Sequence, residues 1–242
     1  MKNFFAAEMV RAGLTLGICF VVAAFIGSMT LYNVRALDNT LSVTGSAKQS
    51  AEADSAKWTV SVTRTAYEAD VPDTQARVTR DTNTVVGFFK AAKIDEKDII
   101  MSPVSVDQDY SSDNNAPRRF SVRQQITVQS KDVRLIEKLA KNIGGLAQQG
   151  VLLSAGTPEY YVTTLPELRI SLIGKAIEDA KKRAESIAAS TGQKVGPLKS
   201  SSGGVVQVLS PNSIEVSDYG SYDTQTIQKE VMVTARAVFL LK

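Results

Sequence analysis

The sequence predicts a mixed α+β fold, with antiparallel strand hairpins packed against helices and one transmembrane helix in front. Three observations lead to this prediction. Apolar and polar residues alternate over several stretches, as in half-buried strands. Other stretches repeat apolar residues every three or four positions, as amphipathic helices do. Residues 12–31 carry no charge over about 30 Å of helix, the thickness of a bilayer's hydrocarbon core.

The uncharged run at 12–31 has no polar face to meet water, which disfavours a buried core helix. We expect residues 1–36 to form an uncleaved membrane anchor. Two alternatives stay open: a signal peptide cleaved at the poor site 34–36, and a lipoprotein signal acylated at Cys19. Against acylation, Ile18 is bulky where such signals carry a small residue.

Charges on either side of the run predict its orientation. Lys2, Arg11 and the amino terminus precede it, and Arg35 follows it. Positive charge favours the cytoplasmic side. We therefore expect a single-pass protein of the bacterial inner membrane, with the lipid bilayer around its N-terminal helix and the C-terminal domain in the periplasm.

The composition excludes several kinds of site. The sequence has no histidine and one cysteine, Cys19, so a histidine-based triad, a Cys–His pair, a Cys/His zinc site and an intrachain disulfide are all excluded. The 28 basic and 25 acidic residues nearly balance, at a net charge of +3. Because nucleic-acid binding needs a concentrated positive field, we expect no nucleic-acid partner. We also expect no catalytic residue, cofactor or metal.

After a short connector, a strand–strand–helix order occurs twice, at 41–92 and at 99–144. Within the second unit Gln124 interrupts an otherwise apolar face, and Gly144 is the expected helix stop. The predicted elements of the two units are strands at 41–47 and 57–65, a helix at 71–92, strands at 99–110 and 118–130 joined by a polar loop, and a helix at 131–144.

The C-terminal part begins with a short strand at 160–164 and a long helix from Leu165 to the glycine stop at Gly192. A strand at 194–210, a polar excursion at 211–228 and a final strand at 229–242 follow. In the final strand the alternation puts one set of apolar residues on a single face: Val231, Val233, Ala235, Ala237 and Phe239.

The long helix, GKAIEDAKKRAESIAASTG at 174–192, is either a basic surface or one wall of a core. Glu178 precedes Lys182, and Asp179 precedes Arg183, at the spacing that favours ion pairs within a helix. These pairs neutralise the basic face, so we expect a core wall with a self-paired exterior. Its predicted apolar stripe is Ile173, Ala176, Ile177, Ala180, Ala184, Ile187 and Ala188.

Three stretches together resemble the SIMPL-domain family: SVTGSA near the start of the domain, AIEDAKKRAESIAASTGQKVGPLKSSSGG, and EVMVTARAVFLL at the end. The resemblance covers about residues 38–242, and we expect one SIMPL-like ectodomain at 37–242. It implies an envelope location, an α/β fold, self-association and a loose link to stress responses. The family has no established catalytic residues.

Two short stretches have a functional and a structural interpretation. The serine–glycine stretch 200–204 lacks the spacing of a phosphate-binding loop, so we expect a turn. Asp107, Asp109 and Asp113 offer oxygens to a hard cation. A calcium loop also needs a glycine at the bend and a distal glutamate, so we expect a hairpin tip instead.

The loop at 210–223 is the most informative candidate site. It holds Asn212, Tyr219 and Tyr222 in a polar setting between two strands. Exposed tyrosines on a long loop can anchor a partner, and they can also cover the core of their own domain. We favour a structural lid, and we keep these three residues as a candidate interface.

The sequence thus favours a non-enzymatic, membrane-anchored envelope protein that self-assembles through its SIMPL-like periplasmic domain. It would act as a scaffold or stress-linked accessory, with protein partners other than itself unknown. The alternative is a periplasmic sensor or binding module for a small ligand or an envelope partner, which requires a pocket with convergent polar groups. A hydrolase that uses two facing carboxylates is a third hypothesis.

Overall fold

The computed structural model describes the backbone of residues 2–36, 39–110, 117–213 and 217–242. In the first helix it describes the side chains of residues 13–32. Residues 111–116 of the predicted polar loop and residues 37–38, at the expected domain boundary, lie outside these ranges.

The chain begins with helix α1, Lys2–Ala36. Its segment Gly13–Tyr32 has a mean hydropathy of 2.2, and none of that segment is buried. By length and composition this segment can cross a membrane. A signal sequence near the N-terminus would have the same properties.

The predicted helices and strands occur in the predicted order, and the helix Gly144–Gln148 and the strand Leu153–Ala155 are additional. Helices and strands in the described residues are β1 (Thr40–Glu52), β2 (Ser55–Tyr67), α2 (Val71–Ala91), β3 (Ile99–Met101), β4 (Ser105–Asp109), β5 (Arg119–Ser130), α3 (Val133–Asn142), α4 (Gly144–Gln148), β6 (Leu153–Ala155), β7 (Glu159–Tyr161), α5 (Leu165–Ser190), β8 (Val195–Leu209) and β9 (Gln228–Leu241).

These strands form two antiparallel sheets within the described residues. The small sheet has the order β1-β9-β8. The large sheet has the order β3-β5-β2-β6, with β4 also paired to β5 and β7 to β2. By contacts the chain divides into two compact units. The first comprises Met1–Ala47, Ile173–Gly204 and Val233–Lys242, and the second comprises Lys48–Leu172 and Val205–Met232.

The second unit is built on the long pairing of β2 with β5, which sets Trp58 opposite Val128. Even-numbered apolar residues of both strands are buried on one face, because side chains alternate along a strand. Residues of α2 and α3 join the same core cluster. Within it, the rings of Trp58 and Phe89 meet edge to face at 5.6 Å. α2 buries Val78, Thr82, Val85 and Phe89 at the three-to-four spacing of an amphipathic helix.

The expected strand at 99–110 is interrupted, giving β3 and β4. Pro103 lies at the break and has no N–H for a ladder. Ser102 donates its N–H to the carbonyl of Gln125 at 2.9 Å. Gln124 Nε2 donates to the Ser102 carbonyl at 2.9 Å. The glutamine that interrupts the apolar face therefore supplies a donor at the strand break.

Two further details differ from the sequence prediction. β1 and β2 follow each other in the chain but belong to different sheets, since β2 pairs with β5. The helix predicted to stop at Gly144 does end at Asn142, but Gly144 begins α4. Gly150, just beyond α4, has a positive φ of 83°.

The first unit contains a smaller apolar cluster in which α5 packs against strand residues. Ala180 and Ala184 of α5 meet Val43, Ala237 and Phe239 in this cluster. Of the two ion pairs predicted in the helix, Asp179–Arg183 is formed, with Arg183 Nε at 2.8 Å from Asp179 Oδ2. Another ion pair along this helix joins Lys181 to Glu185 at 3.9 Å, in place of the predicted Glu178–Lys182. Gly192 ends it with a φ of 72°. Ile187 is the exception in the predicted stripe, since it is 46% exposed.

The turn predicted at 200–204 is wrong, because these residues lie inside the continuous strand β8. A Cβ atom on Gly204 would lie 2.1 Å from Thr234 Oγ1 and 3.0 Å from the Thr234 carbonyl oxygen. Glycine thus serves close strand packing here rather than a turn.

Candidate functional site

The two tyrosines of the candidate interface have different environments. Tyr219 is 97% exposed, whereas Tyr222 is 37% exposed. Asn212, the third predicted residue, is exposed and has a φ of 64°. Residues 214–216 of the same loop lie outside the described residues. Of the three, Tyr219 and Asn212 are free for contact and Tyr222 is part of the folded unit.

Backbone hydrogen bonds fasten the end of this loop to β8. Val208 donates its N–H to the Ser221 carbonyl at 2.8 Å, and Asp223 donates to the Val208 carbonyl at 2.8 Å. Gly220 has a φ of 87°, and a Cβ atom there would lie 3.0 Å from the Val206 carbonyl oxygen. A side chain at Gly220 would therefore oppose both the turn and this attachment.

A buried glutamine holds the loop at a second point. Gln207 is 3% exposed. Its side-chain amide donates to the Ser217 carbonyl at 2.6 Å, and its oxygen accepts from the Ser217 N–H at 3.3 Å. This pair satisfies both ends of the amide, as a buried polar group requires.

Tyr222 completes the attachment from the other side. Its hydroxyl accepts a hydrogen bond from the Val162 N–H at 2.8 Å. Its ring lies 5.9 Å from the ring of Tyr161, centroid to centroid. The Tyr161 hydroxyl donates to Glu159 at 2.9 Å. Burial raises the pKa of Tyr161, and the neighbouring Glu159 carboxylate raises it further.

The centre of this site is Lys229, whose side chain is completely buried. Its Nζ donates to the carbonyl oxygen of Asp223 and lies 3.4 Å from Asp223 Oδ2. It also lies 5.8 Å from the centroid of the Tyr222 ring, within cation–π range. Burial lowers the pKa of Lys229, with Asp223 opposing the shift.

Asp223 receives several donors besides the lysine. The Thr226 hydroxyl donates to its Oδ2, and the Gln225 N–H donates to its Oδ1 at 2.9 Å. Burial by itself would raise the pKa of Asp223, but the bonds from Thr226, Gln225 and Lys229 together lower it. The carboxylate is thus kept charged beside the buried ammonium.

This arrangement suits a structural role better than a catalytic one, and we call the pair the Lys229–Asp223 lock. A lysine with a lowered pKa can serve as a nucleophile, but only where a substrate can reach it. The Lys229 side chain has 0% exposure, and its donors are used within the protein. We did not predict Lys229 from the sequence. The sequence held one clue to its burial. Lys229 lies two residues before Val231, so both side chains fall on the buried face of β9.

Two open polar clefts lie at opposite ends of the β2–β5 pair. One, of about 460 Å³, is lined by Asp70, Asp73, Arg77 and Arg119, among others. The other, of about 490 Å³, includes Asp98 and Asp132 with neighbouring lysines. A carboxyl that acts as a general acid at neutral pH needs shielding from water. Asp70 and Asp73 are exposed, so neither has this shielding.

β4 and β5 pair antiparallel with Asp109 opposite Arg119, so the two strands of the predicted hairpin are present, and its tip at 111–116 lies outside the described residues. Asp109 Oδ2 lies 3.5 Å from Arg119 Nε. Asp113 lies outside the described residues. Among the residues that the structure describes, no group of three or more acidic or sulfur ligands is arranged to hold a metal ion.

Comparison with solved structures gives a distant likeness. A crystal structure of an amidase of the hydantoinase/carbamoylase family from Burkholderia phymatum shares 11% identity, with a TM-score of 0.24. The alignment covers 54% of this chain and 33% of the amidase chain, so the chain spans about a third of that protein. No curated protein matches the chain.

A family description matches most of the domain. It covers residues 41–239, from the start of β1 almost to the end of β9, and it is described as SIMPL, a protein of unknown function (DUF541). The match includes the SVTGSA strand, the long alanine-rich helix and the final strand on which the resemblance rested. The family is not a known enzyme family. The chain therefore belongs to the SIMPL family.

Proposed function

We propose that this protein is a non-enzymatic scaffold or stress-linked accessory of the bacterial envelope, anchored in the inner membrane with its SIMPL domain in the periplasm. The inference of a membrane anchor rests on the segment Gly13–Tyr32, which is wholly exposed and precedes the family region at 41–239. An apolar helix of this kind needs a hydrocarbon environment. The stress link rests on the family resemblance alone.

Self-assembly through the SIMPL domain is supported by the strand β8. This strand ends the small sheet, so one of its edges offers backbone donors and acceptors. Residues 197–203 of β8 are exposed in succession, and Leu198 among them is 44% exposed. Edge strands of this kind pair readily with another chain. Pro197 limits such pairing at one end of the stretch.

The anchor offers a second contact between copies. Gly13 and Gly17 are four residues apart, and nothing in the structure lies within 4 Å of a Cβ atom at either position. This spacing lets two transmembrane helices approach closely. Assembly through α1 and assembly through the domain are separable by experiment.

The test is the mass of the full chain in detergent beside a soluble 37–242 chain, by light scattering on a sizing column. Defined oligomers of both chains support assembly through the domain. An oligomer of the full chain alone assigns association to α1. Two monomers contradict the proposal.

A matched pair of variants tests the β8 edge. Ser201→Pro removes one backbone N–H from the exposed stretch, whereas Ser201→Ala keeps it. We expect Ser201→Pro to lower the oligomer's mass and Ser201→Ala to leave it unchanged. Circular dichroism of both variants controls for folding.

A further inference from the structure

The large sheet has one apolar face and one polar face. Odd-numbered positions of β2 point away from the core, opposite the odd-numbered positions of β5. The centre of this face is formed by Thr59, Ser61, Thr63, Thr127 and Gln125, all at least partly exposed. The hydroxyls of Thr59 and Thr127 lie 3.1 Å apart.

The polar character extends across the neighbouring strands. Ser154 of β6 lies opposite Ser61, and Ser105 of β4 lies opposite Arg123. Ile100, opposite Thr127 on the edge strand β3, is the apolar exception among the described positions in this register. The face is therefore a nearly continuous layer of hydroxyl, amide and charged groups.

The charges on this face balance, and they lie towards its two ends. Arg119 and Arg123 lie on β5, with Asp107 and Asp109 on the adjacent β4. At the opposite end Lys57 pairs across to Glu159. Between Arg123 and Lys57 the central strip of Thr59, Ser61, Gln125 and Thr127 is uncharged, and Thr63 at its edge lies opposite Arg123.

Tyrosines stand at both ends of the polar face. Tyr67, at the end of β2, is 55% exposed and lies opposite Arg119. At the other end Tyr161 lies opposite Ser55, with the Tyr222 ring beside it. β2 runs 13 residues between these ends, which is roughly 40 Å of strand. The Tyr222 hydroxyl accepts from the Val162 N–H, and the Lys229 ammonium lies 5.8 Å from its ring centroid, which holds Tyr222 at this end.

This chemistry excludes most classes of partner. Protein interfaces centre on apolar and aromatic side chains, and the centre of this face has neither. Nucleic acid and anionic membranes require net positive charge, and the charges here cancel. The matching partner is an extended, uncharged polymer rich in hydroxyl and amide groups. Tyrosine rings suit such a partner, because they offer an apolar face and a polar tip.

We propose that the polar face of the large sheet binds a glycan strand that runs along β2. Threonine, serine and glutamine side chains of the central strip hydrogen-bond the sugar hydroxyls and acetamide groups, and tyrosines contact sugar rings at the two ends. This proposal gives the binding-module alternative a surface and a ligand class. It does not depend on self-assembly.

The test uses the full chain in lauryldimethylamine oxide, because a detergent with a sugar headgroup would compete. Binding is measured by calorimetry with chitohexaose and by co-sedimentation with purified peptidoglycan sacculi. The face variant is Thr59→Val with Thr127→Val, which removes both partners of one hydrogen bond and keeps the side-chain shape. Thr84→Val, on the exposed side of α2, is the matched control.

We expect the wild-type chain and Thr84→Val to bind chitohexaose, and the double variant to bind about tenfold more weakly, as the loss of roughly 1.4 kcal/mol implies. Equal binding by the double variant would overturn the proposal, as would no binding of either glycan by the wild type. Preference for anionic vesicles or duplex DNA over both glycans would overturn it in favour of a charged partner. None of these results alters the light-scattering test of assembly.

Discussion

Gly45 on β1 lies so close to Ala176 on α5 that a Cβ atom at position 45 would be 2.1 Å from the Ala176 carbonyl oxygen. The same atom would lie 2.4 Å from the Ala180 backbone nitrogen. Beside it, Ser46 donates its N–H to Asp179 Oδ2 at 2.9 Å. The SVTGSA strand and the alanine-rich helix, which both carry the family resemblance, are thus in direct backbone contact.

Gly45→Ala should destabilise the protein by roughly 3 kcal/mol or more, because both clashing atoms belong to backbone that cannot rotate away. Gly87→Ala is the matched control, since nothing lies within 4 Å of its added Cβ and the site is within α2. It should stabilise by about 0.5–1 kcal/mol. Urea unfolding followed by circular dichroism measures both. Equal stabilities would contradict the close approach.

The Lys229–Asp223 lock predicts unequal effects of removing its two members. Asp223→Ala leaves a buried ammonium without its counter-charge, which should destabilise by about 3 kcal/mol. Lys229→Met keeps the aliphatic volume, and the remaining carboxylate retains its bonds from Thr226 and Gln225, so the loss should be about 1 kcal/mol. Chemical denaturation of the two variants gives the comparison, and a larger loss in Lys229→Met would contradict it.

Asp223 should also make stability depend on acid. Its pKa is held below the ordinary value of 3.8, so the unfolded chain binds a proton at higher pH than the native chain. The contribution is fully present above the unfolded pKa and is lost as pH falls through the folded pKa. The stability difference between wild type and Asp223→Asn should therefore shrink from about pH 5 downwards. A difference that grows on acidification would contradict this assignment.

Lys229 should act in the opposite pH range. Burial lowers its pKa below the ordinary value of 10.5, so the native chain loses this proton before the unfolded chain does. Stability from this group should then rise as pH increases through the folded pKa towards that of the unfolded chain. Urea midpoints of wild type and Lys229→Met across the alkaline range measure the effect. The wild type should gain relative to the variant.

The two tyrosines of the loop give a matched pair. Tyr222→Phe removes the acceptor of the buried Val162 N–H and should destabilise by about 1 kcal/mol. Tyr219→Phe removes a hydroxyl from a side chain that is 97% exposed and should leave stability unchanged. Thermal unfolding distinguishes the pair. A loss in Tyr219→Phe equal to that in Tyr222→Phe would contradict the separate roles.

The spacing of apolar residues predicted most helices and strands, because an element that buries one side repeats apolar residues at its own local period. The alternation of β2 and β5, and the three-to-four spacing of α2 and α5, are set by which face meets a core. The sequence predictions failed where a residue pattern that looks local is required by contacts with a distant segment. The serine–glycine stretch 200–204 resembles a turn, but its glycine permits strand packing against Thr234.

The candidate site was predictable only in part. The loop residues Tyr219, Tyr222 and Asn212 were evident from their setting, but their different exposure was not, because it depends on Val162 and β8. Lys229 was hidden for a related reason. A charged residue at a buried strand position is not expected from the sequence. The structure explains it, because the chain folds so that Asp223, six residues away, lies against the lysine.

The sequence by itself determined the apolar N-terminal helix, the α+β order and the family, since each depends on the types of neighbouring residues. The tertiary structure decided which strands share a sheet, which tyrosine is fixed, and that the odd-numbered residues of β2 and β5 form one polar face. Those outcomes depend on register between distant segments, as in Thr59 opposite Thr127, which are 68 residues apart in the chain. Local periodicity sets the face to which a side chain points, but pairing in space chooses its neighbours.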